Sequence, residues 1–205
     1  RTRERTRAMD QLSLRLKDAG GAYLTHTGLS QADRTEPWSM TPQSLRDWGD
    51  RVHRFQAEVR DQPQVEQVSL FELETPTLTV WGDSGFDPFT VRPQSFDFWC
   101  WEQEGEGAAA IYFVLDLQWP ILLYVGESGN HHQRWKREHD CKEYVRRYVN
   151  AHHALGLQTQ VVLGFELGVP ERRKARQALE QAFIQRWRSP FNKENWNYWK
   201  TPFVN

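Results

Sequence analysis

Two apolar runs, at residues 108–117 and 121–126, lie only three residues apart, with Trp119-Pro120 marking the turn. Extended segments joined so closely must pair antiparallel, because a parallel partner needs a crossover of on the order of a dozen residues. This hairpin anchors the rest of the chain. After it, residues 130–138 and 142–153 have helical texture, residues 160–167 form a third apolar run, and Pro170 opens a long helix to about Arg188. Ala175, Leu179, Ala182, Phe183 and Trp187 share one side of that helix at the 3.6-residue period. The order β-β-α-α-β-α predicts an α+β fold, a small three-stranded antiparallel sheet flanked by helices.

Upstream, residues 1–17 alternate charge with Met9, Leu12, Leu14 and Leu16 and read as a short helix or a frayed end. Residues 20–42 are rich in Gly, Ser, Thr and Pro and read as loop. A helix should begin with Thr41 as cap and Pro42 in its first turn, carrying the stripe Leu45, Trp48, Val52, Phe55 and Val59. That stripe reads as core packing. Residues 65–101 turn to short β-like runs broken by Pro and Gly. The Gly- and Glu-rich stretch at 102–107 suggests a boundary, dividing an N-terminal helical and β-rich extension (1–104) from a C-terminal domain (105–205).

Ten Trp and eleven Phe provide ample material for a core, and no apolar run approaches the ~20 residues of a membrane helix. Cys100 and Cys141 make neither a disulfide framework nor a zinc-ligand spacing, so a reducing cytoplasm is the expected setting. The net charge of −1 conceals an asymmetry: +3 over residues 1–57, −11 over 58–127 and +6 over 128–188. A polyanion is drawn to the last of these and repelled by the middle one. The acidic segment has three open roles: binding a protein partner, shielding a site, or facing solvent.

The chemistry concentrates on the hairpin and the long helix. Ala110-Ile111-Tyr112 lies on the first strand and Tyr124-Val125-Gly126 on the second, with Tyr124 twelve positions after Tyr112. Arg134 follows ten residues after Tyr124, then His139; Glu180 sits on the long helix, and Asn192 twelve residues beyond it. In order and spacing this set resembles the GIY-YIG endonuclease superfamily, over about half the chain. The resemblance implies the GIY-YIG fold for residues 105–205 and metal-dependent hydrolysis of DNA phosphodiester bonds. It implies Glu180 as the carboxylate that holds Mg²⁺ or Mn²⁺, hard cations that keep waters and accept phosphate oxygens. By the same resemblance Arg134 holds the scissile phosphate, Tyr112 serves as general base, Tyr124 positions water or phosphate, Asn192 hydrogen-bonds at the site, and His139 relays a proton or contacts phosphate. The chain departs from the family pattern in three places. Ala110 replaces the first Gly, Glu127 stands where Lys or Gln is common, and His139 lies one residue beyond the family's usual position, which Glu138 occupies. His152 and His153 are outside candidates.

Each residue also has an ordinary explanation. The tyrosines suit the packing of any sheet, and Asn192 suits a cap after Pro190. Glu180 falls inside the helix's apolar arc, between Ile184 and Trp187, where an unpaired carboxylate is costly; either a pair with Arg176 or a metal accounts for it. Lys136, Arg137, Lys142, Arg146, Arg147, Arg173 and Arg176 are expected phosphate-backbone contacts. Trp196, Tyr198 and Trp199 either stack on exposed bases or dock on the domain's own core. The expected partner is duplex or branched DNA, with a homodimer if the role is restriction. The alternatives are a nucleic-acid binding module that kept the fold and lost catalysis, and an interaction protein working through its N-terminal half.

Overall fold

The structure, a computed structural model, describes residues 40–61, 86–95, 108–129 and 140–204. The expected elements at 1–17, 65–81, 96–107 and 130–138 lie outside the described residues. The first helix, α1 (Pro42–Asp61), starts where expected, and the Thr41 side chain accepts from the Ser44 amide at 3.1 Å. A single 3-10 turn follows at Pro88–Thr90, and a two-residue strand β1 at Gln94–Ser95. The hairpin is β2 (Ala110–Asp116) and β3 (Ile121–Ser128), followed by α2 (Asp140–Ala154), β4 (Val161–Glu166), α3 (Arg173–Trp187) and the short α4 (Trp196–Trp199).

The fold class is α+β, with a correction to the sheet: it has four strands among the described residues, not three. Their order is β1-β4-β2-β3, antiparallel throughout. The added strand pairs only Gln94 with Leu163 and Ser95 with Val162. Two residues are too few to leave a period-2 pattern in the sequence.

Both faces of the sheet are covered, which explains why every residue of β2 is buried. One face carries Tyr112, Val114, Ile121 and Leu123 and packs against Leu45, Trp48 and Val52 of α1, Cys141, Val145 and Tyr148 of α2, and Phe191, Trp199 and Phe203. The other carries Ile111, Phe113, Leu115, Leu122 and Val125 beneath Leu179, Phe183, Ile184 and Trp187 of α3. α1 thus completes the core of the C-terminal half, and packing crosses the boundary drawn at residue 104. No helix among the described residues is long and apolar enough to cross a membrane.

One irregularity positions the site. The register runs from Val114 opposite Tyr124 to Leu115 opposite Leu122, so Leu123 is the extra residue of a β-bulge. Leu123 and Tyr124, though adjacent, both pack on the first face. Strict alternation from Ile121 would send Tyr124 to the α3 side; the bulge turns it toward Tyr112.

Candidate active site

Tyr112 pairs with Gly126 across the hairpin, and its ring lies over that glycine. A Cβ at residue 126 would come within 2.2 Å of the ring and hydroxyl of Tyr112, so close approach requires glycine there. Tyr124 stands diagonally across, its ring stacked on Tyr112 with centroids 6.0 Å apart and planes 25° from parallel. The two side chains are hydrogen-bonded to each other. Burial pushes the Tyr124 hydroxyl far above the usual phenol range, and the nearby Tyr112, Cys141 and Glu180 push it further. Tyr124 therefore keeps its proton. Tyr112 itself is fully buried.

Glu180 sits on α3, which packs beneath the second face. β3 is an edge strand, and Oε1 of the half-buried Glu180 accepts from the backbone N–H of its Glu127 at 3.1 Å. The Glu180 charge adds to the upward shift at the Tyr124 hydroxyl.

The outward backbone groups of β3 are satisfied by side chains and loop rather than by another strand, which removes the usual hazard of an open edge. Asn192 both accepts from Val125 N–H and donates to Val125 C=O, at 2.9 Å each, while its Oδ1 also accepts from Ser189 at 2.6 Å. The Phe191 amide donates to Leu123 C=O at 2.9 Å. Gln56 of α1 does for Leu122 what Asn192 does for Val125, accepting from its N–H at 2.7 Å and donating to its C=O at 3.0 Å. Asn192 thus holds the strand that carries Tyr124. Gln56 was missed by sequence reasoning, although a polar residue four after Val52 on an apolar stripe was a usable signal.

Two charged residues have roles other than those expected. Arg176 is buried, and its guanidinium is consumed inside the fold instead of being offered to phosphate. Nε donates to Glu127 Oε2 at 2.7 Å, and one terminal nitrogen donates to the Pro170 and Glu171 carbonyls at 3.1 and 2.8 Å. Glu127 is thereby neutralised on the α3 side, so its departure from the family pattern does not set an unbalanced charge beside the tyrosines. A buried arginine at a position drawn from a basic run is explained by this carboxylate 49 residues away, which spacing does not reveal.

Of the remaining sequence-predicted residues, Arg134, Lys136, Arg137 and His139 lie outside the described residues. Arg146 and Arg147 are part-exposed on α2 and share Glu143, at 2.7 and 2.8 Å; the Arg146 hydrogen bond, ahead of Arg147's, holds the Glu143 carboxyl below its usual range. Lys142 is half-buried on the same helix, and Arg173 is largely exposed, 3.9 Å from Glu127. His152 is a core residue, its Nδ1 donating to the Tyr148 carbonyl at 2.8 Å. It sits eleven residues along α2 from Cys141, about 16 Å at helical rise, so neither it nor the exposed His153 joins the tyrosines.

The half-buried Glu180 carboxylate, an oxygen donor of the kind hard divalent cations take, accepts from the Glu127 amide. Among the described residues no group of three or more His, Cys, Asp or Glu forms a protein-only cage. Comparison with protein-family models, curated proteins and solved structures finds no match for this chain.

Proposed function

We propose that this chain is a metal-dependent DNA endonuclease of the GIY-YIG kind, with Tyr112, Tyr124 and Glu180 at its centre. Two observations support the reading: the Tyr112 and Tyr124 rings stack on adjacent strands, and Glu180 of the long helix binds the Glu127 amide on the strand of Tyr124, its charge acting on Tyr124.

In this reading Tyr112 first gives up its own proton to solvent, and the resulting phenolate takes the proton from an attacking water as the water oxygen bonds to phosphorus. The P–O bond to the leaving sugar oxygen breaks, and that oxygen picks up a proton from solvent. Tyr124 stays protonated and steadies the Tyr112 oxygen by donating to it. Glu180 holds Mg²⁺ or Mn²⁺, which when bound supplies positive charge for the phosphorane and the leaving oxygen. Arg134 and His139 have the roles that the family resemblance implies, holding the phosphate and relaying protons. The basic residues of 128–188 hold DNA by its backbone.

The complete burial of Tyr112 favours a second reading, a nucleic-acid binding module on the same scaffold without cleavage. One experiment separates them. Supercoiled plasmid and flap DNA are incubated with Mg²⁺ and wild type, Glu180→Gln or Tyr112→Phe, with and without chelator. The enzyme reading expects Mg²⁺-dependent nicking that drops at least about 100-fold in each variant while DNA binding persists. Binding without nicking by the wild type leaves the module.

A further inference from the structure

Two large apolar side chains stand half in solvent among the described residues, Leu167 and Tyr198. Leu167 lies just past the end of β4, next to the acidic Glu166. Tyr198 differs. Its ring, 53% exposed as a residue, is seated on Trp199 in edge contact at 4.7 Å, with Phe55 of α1 at 6.2 Å. Trp199 is buried and donates its indole N–H to the Arg188 carbonyl. The Arg188 guanidinium lies over the Tyr198 ring at 4.1 Å and over Phe55 at 5.3 Å. Tyr198 is thus an aromatic seated on Trp199 and Arg188 yet left half in water, a poor use of a tyrosine in folding alone.

The backbone gives a second, independent observation. Arg188 and Lys200 are the two non-glycine residues with positive φ among those described, at 45° and 48°. Each caps a helix C-terminus through its backbone N–H, to Ile184 and Trp196 respectively. Glycine is the usual residue at such positions, and any other side chain strains them. Both strained positions carry a cation, and they bracket Tyr198 in the chain. Lys193 adds a third cation, 6.0 Å from the Trp196 ring, against the single acid Glu194 between residues 188 and 204.

We infer that Tyr198, with Arg188 and Lys200 beside it, is a stacking site for an unpaired base of a nucleic acid, the two cations taking the adjoining phosphates. A flat ring backed by a guanidinium presents a π surface to a base, and charge complementarity selects a polyanion over a neutral aromatic partner. A paired base hides both faces within the duplex stack and offers this ring no surface, so the site selects single strands, flaps or junction arms over plain duplex. The inference deepens the nuclease reading and rests on it for the choice of nucleotide as occupant.

Its test is binding in chelator, where no cleavage occurs. Fluorescence anisotropy of a labelled single strand and a 5′ flap is compared with that of a blunt duplex, and a 2-aminopurine in the flap reports stacking directly. Tyr198→Ala should weaken flap and single-strand binding about tenfold, leave blunt duplex within about twofold, and abolish 2-aminopurine quenching, whereas Tyr198→Trp retains all three. Arg188→Gly relieves the left-handed backbone, so a loss of flap affinity in that variant without a lower melting temperature is not a loss of fold. Equal affinity of wild type and Tyr198→Ala for the flap, or the same loss on blunt duplex, overturns the inference. So does capture of an acidic peptide in preference to the single strand. Tyr198-dependent binding by a wild type that never nicks in Mg²⁺ removes the nuclease reading alone; nicking that ignores Tyr198 removes this inference alone.

Discussion

The two ends of the central hairpin each set a carboxylate near a tyrosine, and they are built to opposite ends. At the closing turn Asp116 is fully buried and saturated: Oδ1 accepts from the Gln118 and Gln160 amides at 2.8 and 2.9 Å, and Oδ2 from the Tyr148 hydroxyl at 2.8 Å. Burial raises its pKa, those hydrogen bonds lower it, and burial is the larger influence. At the open end Glu180 is half-buried at a strand margin, where it accepts from the Glu127 amide and its charge adds to the upward shift of Tyr124. A carboxylate enclosed by donors holds structure together. One at a margin keeps access to solvent, which the proposed chemistry needs. The pairing of residue types is shared; access to water differs.

If that contrast is right, the largest stability loss should come from the closed end. Asp116→Ala strands two part-buried amides and a buried hydroxyl, and should destabilise by about 3 kcal/mol in urea unfolding. A loss below about 1 kcal/mol would erase the contrast. Next comes acid sensitivity through His152, packed on Tyr148 with ring centroids 4.1 Å apart. Burial lowers its pKa from 6.5 to about 4. As pH falls through 6.5 the unfolded chain takes up the proton first, so stability present above 6.5 drains away down to pH 4, by up to about 3 kcal/mol. Asp116, shifted upward from 3.8, acts in the opposite direction, stability rising as pH falls through its raised pKa. The difference between wild type and His152→Phe in unfolding free energy across pH 7 to 4 isolates the histidine, and parallel curves would refute its assignment.

The open end should respond in the reverse sense. Glu180→Gln keeps an acceptor for the Glu127 amide, so its melting curve should shift by less than about 1 kcal/mol even as nicking is lost. A strongly destabilised but active variant would make Glu180 another Asp116. The smallest effect belongs to the surface. Arg146→Ala removes a part-exposed partner of Glu143 and should change stability by less than about 0.5 kcal/mol, while lowering the salt dependence of DNA binding by about one counterion if it meets phosphate.

Much of this was legible in the chain. The Tyr112 and Tyr124 strands, the Pro42 helix with its cap, and the helix bearing Glu180 all carry periodic patterns or local chemistry, and each formed within a few residues of expectation. Local patterns are set by nearest neighbours along the chain, which is why they survive reading in one dimension. The two-residue β1 left no such trace. Neither did the pairing of Arg176 with Glu127: a helical wheel offers Glu180 as its neighbour, and the choice depends on where β3 ends in space.

By itself, then, the sequence determined which segments extend, which coil, and which side chains were available for the proposed site. Tertiary structure decided which of them meet. The bulge at Leu123 turned Tyr124 to the face of Tyr112, the edge position of β3 set the Glu127 amide against Glu180, and Arg176 was drawn inside to balance Glu127. The reason is physical: register, strand order and burial are set by contacts between residues far apart in the chain, whose energies no local pattern contains.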